Sequence, residues 1–472
     1  MVGTHFIPLF SLLVVFPLLG ALINYINKSG LFLYGSVVLS NFALILVSYL
    51  VYLYNPIDGI VPIVGLFTNW IFIDGINLSL LWLTGVIFSA IAIYSFASNV
   101  FSMKLYFQLL IFLEYLIIIA LLSNHIVVFY LLYETLAIPM FFLIGLVGVR
   151  GRKLHAAYLF LFFTLSSSIL LLTALVIIYQ TNYTLFFDEL GYTLISREWQ
   201  MVVAVLVFLG FATKIPVVPL HIWLPEAHVE APTVGSIILA AIFLKFGFYG
   251  MYRLIIPICC SDVLFQLRPL FFSICSLSVV YASLAAIRQV DLKKIIAYSS
   301  VVHMNFSILG IFVTSHIGVI GSIFLMISHG IISGGMFLGI GILYDRFHVR
   351  NIMYFGGLAQ FMPLFSIYFV IVMLSNMSLP GTCNFVGEFL VFLSLIDEVD
   401  NWLVLVLCLS SIVLVAIFSL VVVMRVCFYQ VTGFFEVQLR DLQLNEALAC
   451  SIVVFYILVF GLVPNLLINL FC

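Results

Sequence analysis

The sequence predicts an all-α polytopic membrane protein with about 14 transmembrane helices. Three observations carry that expectation. Of 472 residues, 65% are hydrophobic and only 8% charged, against roughly 25% charged in a soluble domain. Apolar runs of about 20 residues, enough to cross a bilayer, follow one another from Phe6 to Phe471 with short polar breaks. The basic residues of those breaks also collect on alternate sides, as they do in helices inserted from the basic side.

The runs centre near Phe16, Phe42, Phe88, Leu113, Leu136, Ile169, Val207, Leu244, Leu277, Leu309, Ile331, Ser378, Val415 and Phe455. Those around Val207 and Ser378 are interrupted by proline, and the one around Leu113 merges with its successor. After odd-numbered spans lie Lys28, Lys104, Arg150, Arg152, Lys153, Arg288, Lys293, Lys294, Arg346, Arg350, Arg425 and Arg440. After even-numbered spans lie only Arg197, Arg253 and Arg268. Loops after odd spans therefore face the cytoplasm or its equivalent, and an even count puts both termini on the other side. The first apolar stretch is too long, and too closely followed by the next, to read as a cleaved signal.

Seventeen basic and 19 acidic residues give a formal charge of -2, which leaves no basic face for nucleic acid. Cys259, Cys260, Cys275, Cys383, Cys408, Cys427, Cys450 and Cys472 form no C-x-x-C pair. They read as small buried hydrophobes, with neither a disulfide framework nor an iron-sulfur cluster. No flavin or nucleotide fingerprint occurs either, so other subunits must drive any energy conversion.

Lys214 and Lys245 are the two basic residues outside the loops, and they are the first clue to function. A charged side chain at mid-bilayer costs about 2.5–3.5 kcal/mol and usually marks an ion or proton path. Glu114, Glu134, Lys214, Lys245, His303, His329 and Glu388 all fall within spans. Lys214 opens TKIPVVPLHIWLPEAHVEAP, where Pro216 and Pro219 deprive the carbonyls of Ala212 and Ile215 of their helical donors. The span must break there, which lipid tolerates only where the backbone is buried in protein or lines a wet cavity. A lysine at the end of the first half-helix also meets the negative pole of its dipole; the bland alternative is a lysine that snorkels to the interface.

Glu134, in VVFYLLYETLAIPMFFLIG, is the candidate partner carboxylate. Glu114, in LIFLEYLIII, is balanced between a structural and a functional reading. Lys245 lies among Gly235, Ser236, Ala240, Ala241, Gly247 and Gly250, small residues that allow close helix contact. In the second half Pro380 frees the carbonyl of Asn376, so the span around Ser378 should also be discontinuous, with Glu388 near the positive pole of the restarted half. His303 and His329 suit a relay between a lysine and a carboxylate; haem ligation and plain interhelical hydrogen bonding are the alternatives. His221, Glu226, His228 and Glu230 match no zinc spacing and read as a capped re-entrant loop before Pro232.

Glu134 and Lys214 are 80 positions apart, and His303 and Glu388 are 85 apart. That near-equality predicts two related five-helix units, each centred on a broken span. The expected layout is 1–103 for the first three spans, 104–258 and 268–428 for the two repeats, and 429–472 for the last helix.

The segments TKIPVVPLHIWLPEAHVEAPTVGSIILAAIFLKFG, RQVDLKKIIAYSSVVHMN, LMISHGIISGGMFLGIGILYDR and LSNMSLPGTCNFVGEFL resemble the antiporter-like subunits of respiratory complex I, NADH:ubiquinone oxidoreductase. The resemblance is closest from Glu134 to Phe389 and extends weakly to IDGINLS around Asp74. A carboxylate at position 388, rather than a lysine, favours the chain 4 group over its sister chains 2 and 5. The resemblance implies a proton-pumping module with 14 spans and two inverted five-helix repeats, broken at spans 7 and 12. By matching position, Glu134 partners Lys214, Lys245 is the connecting lysine, His303 and His329 lie on a central polar axis, and Glu388 is the terminal site.

It further implies that this chain binds no cofactor, while NADH, FMN, iron-sulfur clusters and ubiquinone belong to other subunits. Partners would be sister chains 2 and 5 and membrane lipids, in the mitochondrial inner membrane or a bacterial plasma membrane. Subunits of multisubunit cation/proton antiporters and membrane-bound hydrogenases share most of these residues and remain an alternative. A stand-alone solute carrier is a third, and it should show a wide midplane cavity.

Overall fold

In the computed structural model, residues 70–72, 74–97, 104–148, 151–192, 195–398, 402–430 and 440–471 are described. The first two expected spans, near Phe16 and Phe42, lie outside them. Among the described residues the chain is almost wholly helical, with isolated bridges and no strand.

Spans 3 and 4 are α1 (Gly75–Ala97) and α2 (Lys104–Leu122). Span 5 is α3 (Ile126–Thr135) followed by α4 (Ala137–Gly145), because Pro139 cannot donate to the carbonyl of Thr135. Span 6 is α5 (Lys153–Asn182). Span 7 is broken as expected: α6 (Arg197–Ala212) stops at the residue whose carbonyl Pro216 leaves without a donor, and α7 (Trp223–Glu230) ends just before Pro232. Span 8 is α8 (Thr233–Ile238), a π-helical segment Leu239–Phe243, and α9 (Leu244–Ile258). Spans 9, 10 and 11 are α10 (Ser261–Arg288), α11 (Leu292–Val313) and α12 (His316–Phe347). Span 12 breaks between α13 (Pro363–Asn376) and α14 (Cys383–Glu398), again at the carbonyl deprived by proline. Spans 13 and 14 are α15 (Trp402–Val423), ending in a second π segment Met424–Phe428, and α16 (Leu444–Leu462).

Among the described residues nine helices are long and apolar enough to cross a membrane by themselves. The other three expected spans are the shorter α2 and the two broken ones. The described cysteines are buried except Cys260, which is half-buried.

The chain divides into two compact units. The first comprises Met1–Lys214, Phe246–Leu267 and Leu467–Cys472. Within it α5 packs on α4 and α6, and α2 on α3 and α4. The IDGINLS segment has a physical role here: Asp74 Oδ1 accepts from the Asn77 amide at 3.0 Å at the start of α1. The same carboxylate is ion-paired with Arg253, whose guanidinium also reaches Asn77 Oδ1 at 3.3 Å.

The second unit comprises Ile215–Lys245 and Arg268–Leu466. Its axis is α12, buried without interruption from Ile320 to Leu343 and packed on α11 and α14. Small residues set the α12–α14 crossing. A Cβ on Gly387 would lie 2.7 Å from Leu325 Cα, and one on Gly321 would lie 2.7 Å from Leu390 Cβ. That approach brings position 388 within reach of α11.

Candidate functional site

The first unit holds Glu134 and Lys214. Lys214 follows directly on the cap of α6 and is 1% exposed, so it does not snorkel. Its Nζ stands 3.9 Å from Glu134 Oε1, an ion pair looser than a direct hydrogen bond. The ammonium is held instead by the Tyr133 carbonyl at 3.0 Å and lies 2.8 Å from the centroid of the Tyr133 ring. Tyr133 therefore supplies both an acceptor and a π-face, a role its position beside Glu134 left unread in the sequence. Glu114 is also buried in this unit, and its Oε1 has no hydrogen-bond partner among the described residues.

The second unit brings the other four predicted residues into one file. Lys245 is fully buried, and its Nζ donates to the Ala240 carbonyl at 2.6 Å and lies 2.9 Å from His329 Nδ1. The π segment explains the first contact: an extra residue in the turn releases a main-chain carbonyl from the i→i+4 ladder, and the lysine five residues on takes it up. The rings of His329 and His303 are 5.4 Å apart between centroids. His303 Nδ1 lies 2.7 Å from Glu388 Oε1. Both Nε2 atoms are buried and lack a partner among the described residues. Beside Glu388 is a crevice of about 10 Å³ lined by His303, Met377, Glu388 and Ser411, close to the space one water needs.

One sequence expectation is corrected. Glu388 is the sixth residue of α14, beyond the first turn, where a helix dipole has little hold on it. Its anchor is His303.

The freed backbone at the first break finds side-chain partners in the second unit. Asn305 Nδ2 donates to the Pro216 carbonyl at 3.2 Å, and the Val218 amide donates to Ser278 Oγ at 3.0 Å. Near the second break Ser328 Oγ donates to Asn384 Oδ1 at 3.0 Å. Asn305, Ser278 and Ser328 escaped sequence reading because isolated Asn and Ser in apolar helices carry no pattern. His221, Glu226, His228 and Glu230 do not gather into a cluster. Glu226 pairs with Lys294 at 2.7 Å, His221 meets the Tyr281 ring edge-on at 5.3 Å, and His228 stacks on Phe337 at 4.5 Å.

Two proline-broken membrane spans, each beside buried ionisable residues, define an antiporter-like membrane subunit. A chain of respiratory complex I from Thermus thermophilus with bound NADH shares this fold, with a TM-score of 0.86 over 98% of both chains at 24% identity. So does a chain of the Mrp complex from Dietzia sp. DQ12-45-1b, with a TM-score of 0.87 over 98% of this chain and 95% of that one at 19% identity. The chain belongs to the NADH:quinone oxidoreductase/Mrp antiporter family, whose transmembrane model matches residues 123–415. Among its relatives, NADH-ubiquinone oxidoreductase chain 4 of Acanthamoeba castellanii is 41% identical over 397 residues, 84% of this chain and 79% of that protein. NADH-quinone oxidoreductase subunit M of Rickettsia felis is 37% identical over 407 residues, 84% of this chain and 80% of that protein.

Proposed function

We propose that the chain is a proton-translocating, antiporter-like subunit of the membrane arm of respiratory complex I. The observation that carries this reading is the file Lys245–His329–His303–Glu388, with both ends ionisable and each link a hydrogen bond or a single gap between rings. Identity of about 41% to chain 4 relatives, against 19% to the Mrp chain, favours complex I over a cation/proton antiporter assembly.

The contacts are compatible with the following set of tautomers. A charged Lys245 donates to His329 Nδ1, which leaves the His329 proton on Nε2. His303 donates from Nδ1 to a Glu388 carboxylate, which leaves its Nε2 as an acceptor. A water between the two Nε2 atoms would complete the path, as buried waters commonly do between otherwise unpartnered polar atoms. A proton then passes from Lys245 to His329 Nδ1. His329 gives its Nε2 proton to the water, the water gives one to His303 Nε2, and His303 gives its Nδ1 proton to Glu388. The lysine ends neutral, the carboxylate protonated, and both imidazoles change tautomer; the same path is open in reverse.

The driving reaction is the oxidation of NADH and the reduction of ubiquinone. NADH, FMN, iron-sulfur clusters and ubiquinone are placed in other subunits, with the sister chains 2 and 5 as membrane-arm neighbours and the mitochondrial inner membrane as the location. The titratable character of the buried groups favours protons over an organic solute.

The test is Lys245→Ala in the assembled complex reconstituted into vesicles. NADH oxidation with an artificial acceptor should be unchanged, while proton pumping coupled to quinone reduction should fall by roughly 10²-fold, the usual contribution of a positioned proton carrier. Undiminished pumping would remove Lys245 from the path.

A further inference from the structure

A groove of about 370 Å³ in the second unit lies outside the proton file. Its volume is within the range of about 300–1,000 Å³ typical of ligand sites. Three parts of the chain contribute to it: Arg288 comes from the end of span 9, Met353 from the loop after span 11, and Arg425 from the π segment closing span 13. All three follow odd spans, so the groove opens at the membrane face where the basic residues collect.

Among the described residues no carboxylate lines this groove. Neither Arg288 nor Arg425 forms an ion pair with a described carboxylate. Arg425 is held in place by uncharged groups: its guanidinium lies 4.2 Å from the Tyr429 ring centroid and 3.4 Å from Met353 Sδ, and its Nε is buried without a partner among the described residues. Apart from Gln289, the rest of the described wall is apolar. Ile417 and Val421, 44% and 56% exposed, continue an outward stripe of α15 into the groove, and Ile287 faces them from α10.

Two guanidiniums without a described counterion at headgroup level, above an apolar aisle open to the bilayer, match an amphiphile with an anionic head. Basic pockets between helices on this side of membranes bind acidic lipid headgroups, and the planar guanidinium fits phosphate oxygens in pairs. We propose that the groove binds an acidic glycerophospholipid, with its phosphate between Arg288 and Arg425 and its acyl chains along Ile287, Ile417 and Val421.

The test uses the intact membrane complex that contains the chain, in nanodiscs of phosphatidylcholine doped with a photoactivatable phospholipid. Phosphatidylglycerol carrying the photoprobe on an acyl chain should label peptides that include Ile417–Val422 about 30-fold more than the matching phosphatidylcholine probe, equivalent to about 1 kcal/mol for each arginine. Arg288→Gln with Arg425→Gln should abolish that preference and leave turnover with an artificial acceptor unchanged. Equal labelling by the two probes in the wild-type complex overturns the proposal, and that comparison needs no variant to assemble. So does displacement of the acidic probe by inorganic phosphate as effectively as by unlabelled phosphatidylglycerol, which identifies a free-anion site. Cross-linking of Ile417 or Val421 to a neighbouring subunit, with no lipid adduct, identifies a protein occupant and overturns it too.

Discussion

His303 and Glu388 show what a single side chain adds to the file. Their 2.7 Å contact joins an imidazole 2% exposed to a carboxylate at the edge of a water-sized crevice. In the proposed path the carboxylate has two tasks there, accepting a hydrogen bond and accepting a proton, and glutamine separates them. Glu388→Gln keeps an oxygen for the Nδ1–H of His303 but has no site for a transferred proton. Pumping coupled to quinone reduction should therefore fall by roughly 10²-fold, while Glu388→Asp retains a larger fraction. A pH-sensitive dye in vesicles holding the complex reads both, and equal pumping by the Gln and wild-type forms would make Glu388 a purely structural partner. Lys214 illustrates a different economy of contacts. Its ammonium rests on the carbonyl and ring of Tyr133, with Glu134 standing off at 3.9 Å. The charge is thus contacted by Tyr133 even where the carboxylate stands off.

At the scale of elements, the two breaks were legible because proline acts through covalent structure. Its missing N–H removes a donor from a carbonyl four residues back, and α6 and α13 stop at those residues, Ala212 and Asn376. The π segment before Lys245 was not legible. Leu239–Phe243 is LAAIF, which has ordinary helix-forming composition and carries no local signal for an extra residue in the turn. Nor was Asn305, whose partner carbonyl on Pro216 lies 89 positions away. The same holds for Gly387: one glycine in a helix has many readings until the helix it touches is known.

The α12–α14 crossing turns that glycine into a prediction. In Gly387→Ala the new methyl meets backbone, Leu325 Cα at 2.7 Å, and cannot be relieved by a rotamer change. Overpacking of this kind costs about 1–3 kcal/mol, and moving α14 outward stretches the contact between His303 and Glu388. Thermal inactivation of the complex in detergent should come at lower temperature, and coupled pumping should drop more than uncoupled NADH oxidation. If both activities fall in proportion, the crossing supports the assembly without tuning the file.

For the whole molecule, the question is how a chain argued to carry no redox centre is driven. Its two units each hold part of the ionisable set: Glu134 and Lys214 in the first, Lys245, His329, His303 and Glu388 in the second. Lys214 closes the main stretch of the first unit, and Ile215 opens the second across the proline break. Moving one charge through 100 mV costs about 2.3 kcal/mol. A change of about three pKa units in one buried group is worth about 4 kcal/mol, so opening and closing a single buried pair has the right magnitude to move a proton against an ordinary membrane potential. In the proposed function we assign the switch to the loosely spaced pair of Glu134 and Lys214, with the file as the conductor. Glu134→Ala removes the switch while every contact of the file stays in place. The assembled variant should oxidise NADH with an artificial acceptor at the wild-type rate, yet pump poorly during quinone reduction. Lys214→Ala should behave alike, and the double variant should be no worse than either single one, since both changes abolish the same pair. Normal pumping in assembled Glu134→Ala would contradict the switch while leaving the file intact. A double variant markedly worse than the singles would show that the two residues act separately, with Lys214 serving the path through its hold on Tyr133 rather than through the carboxylate.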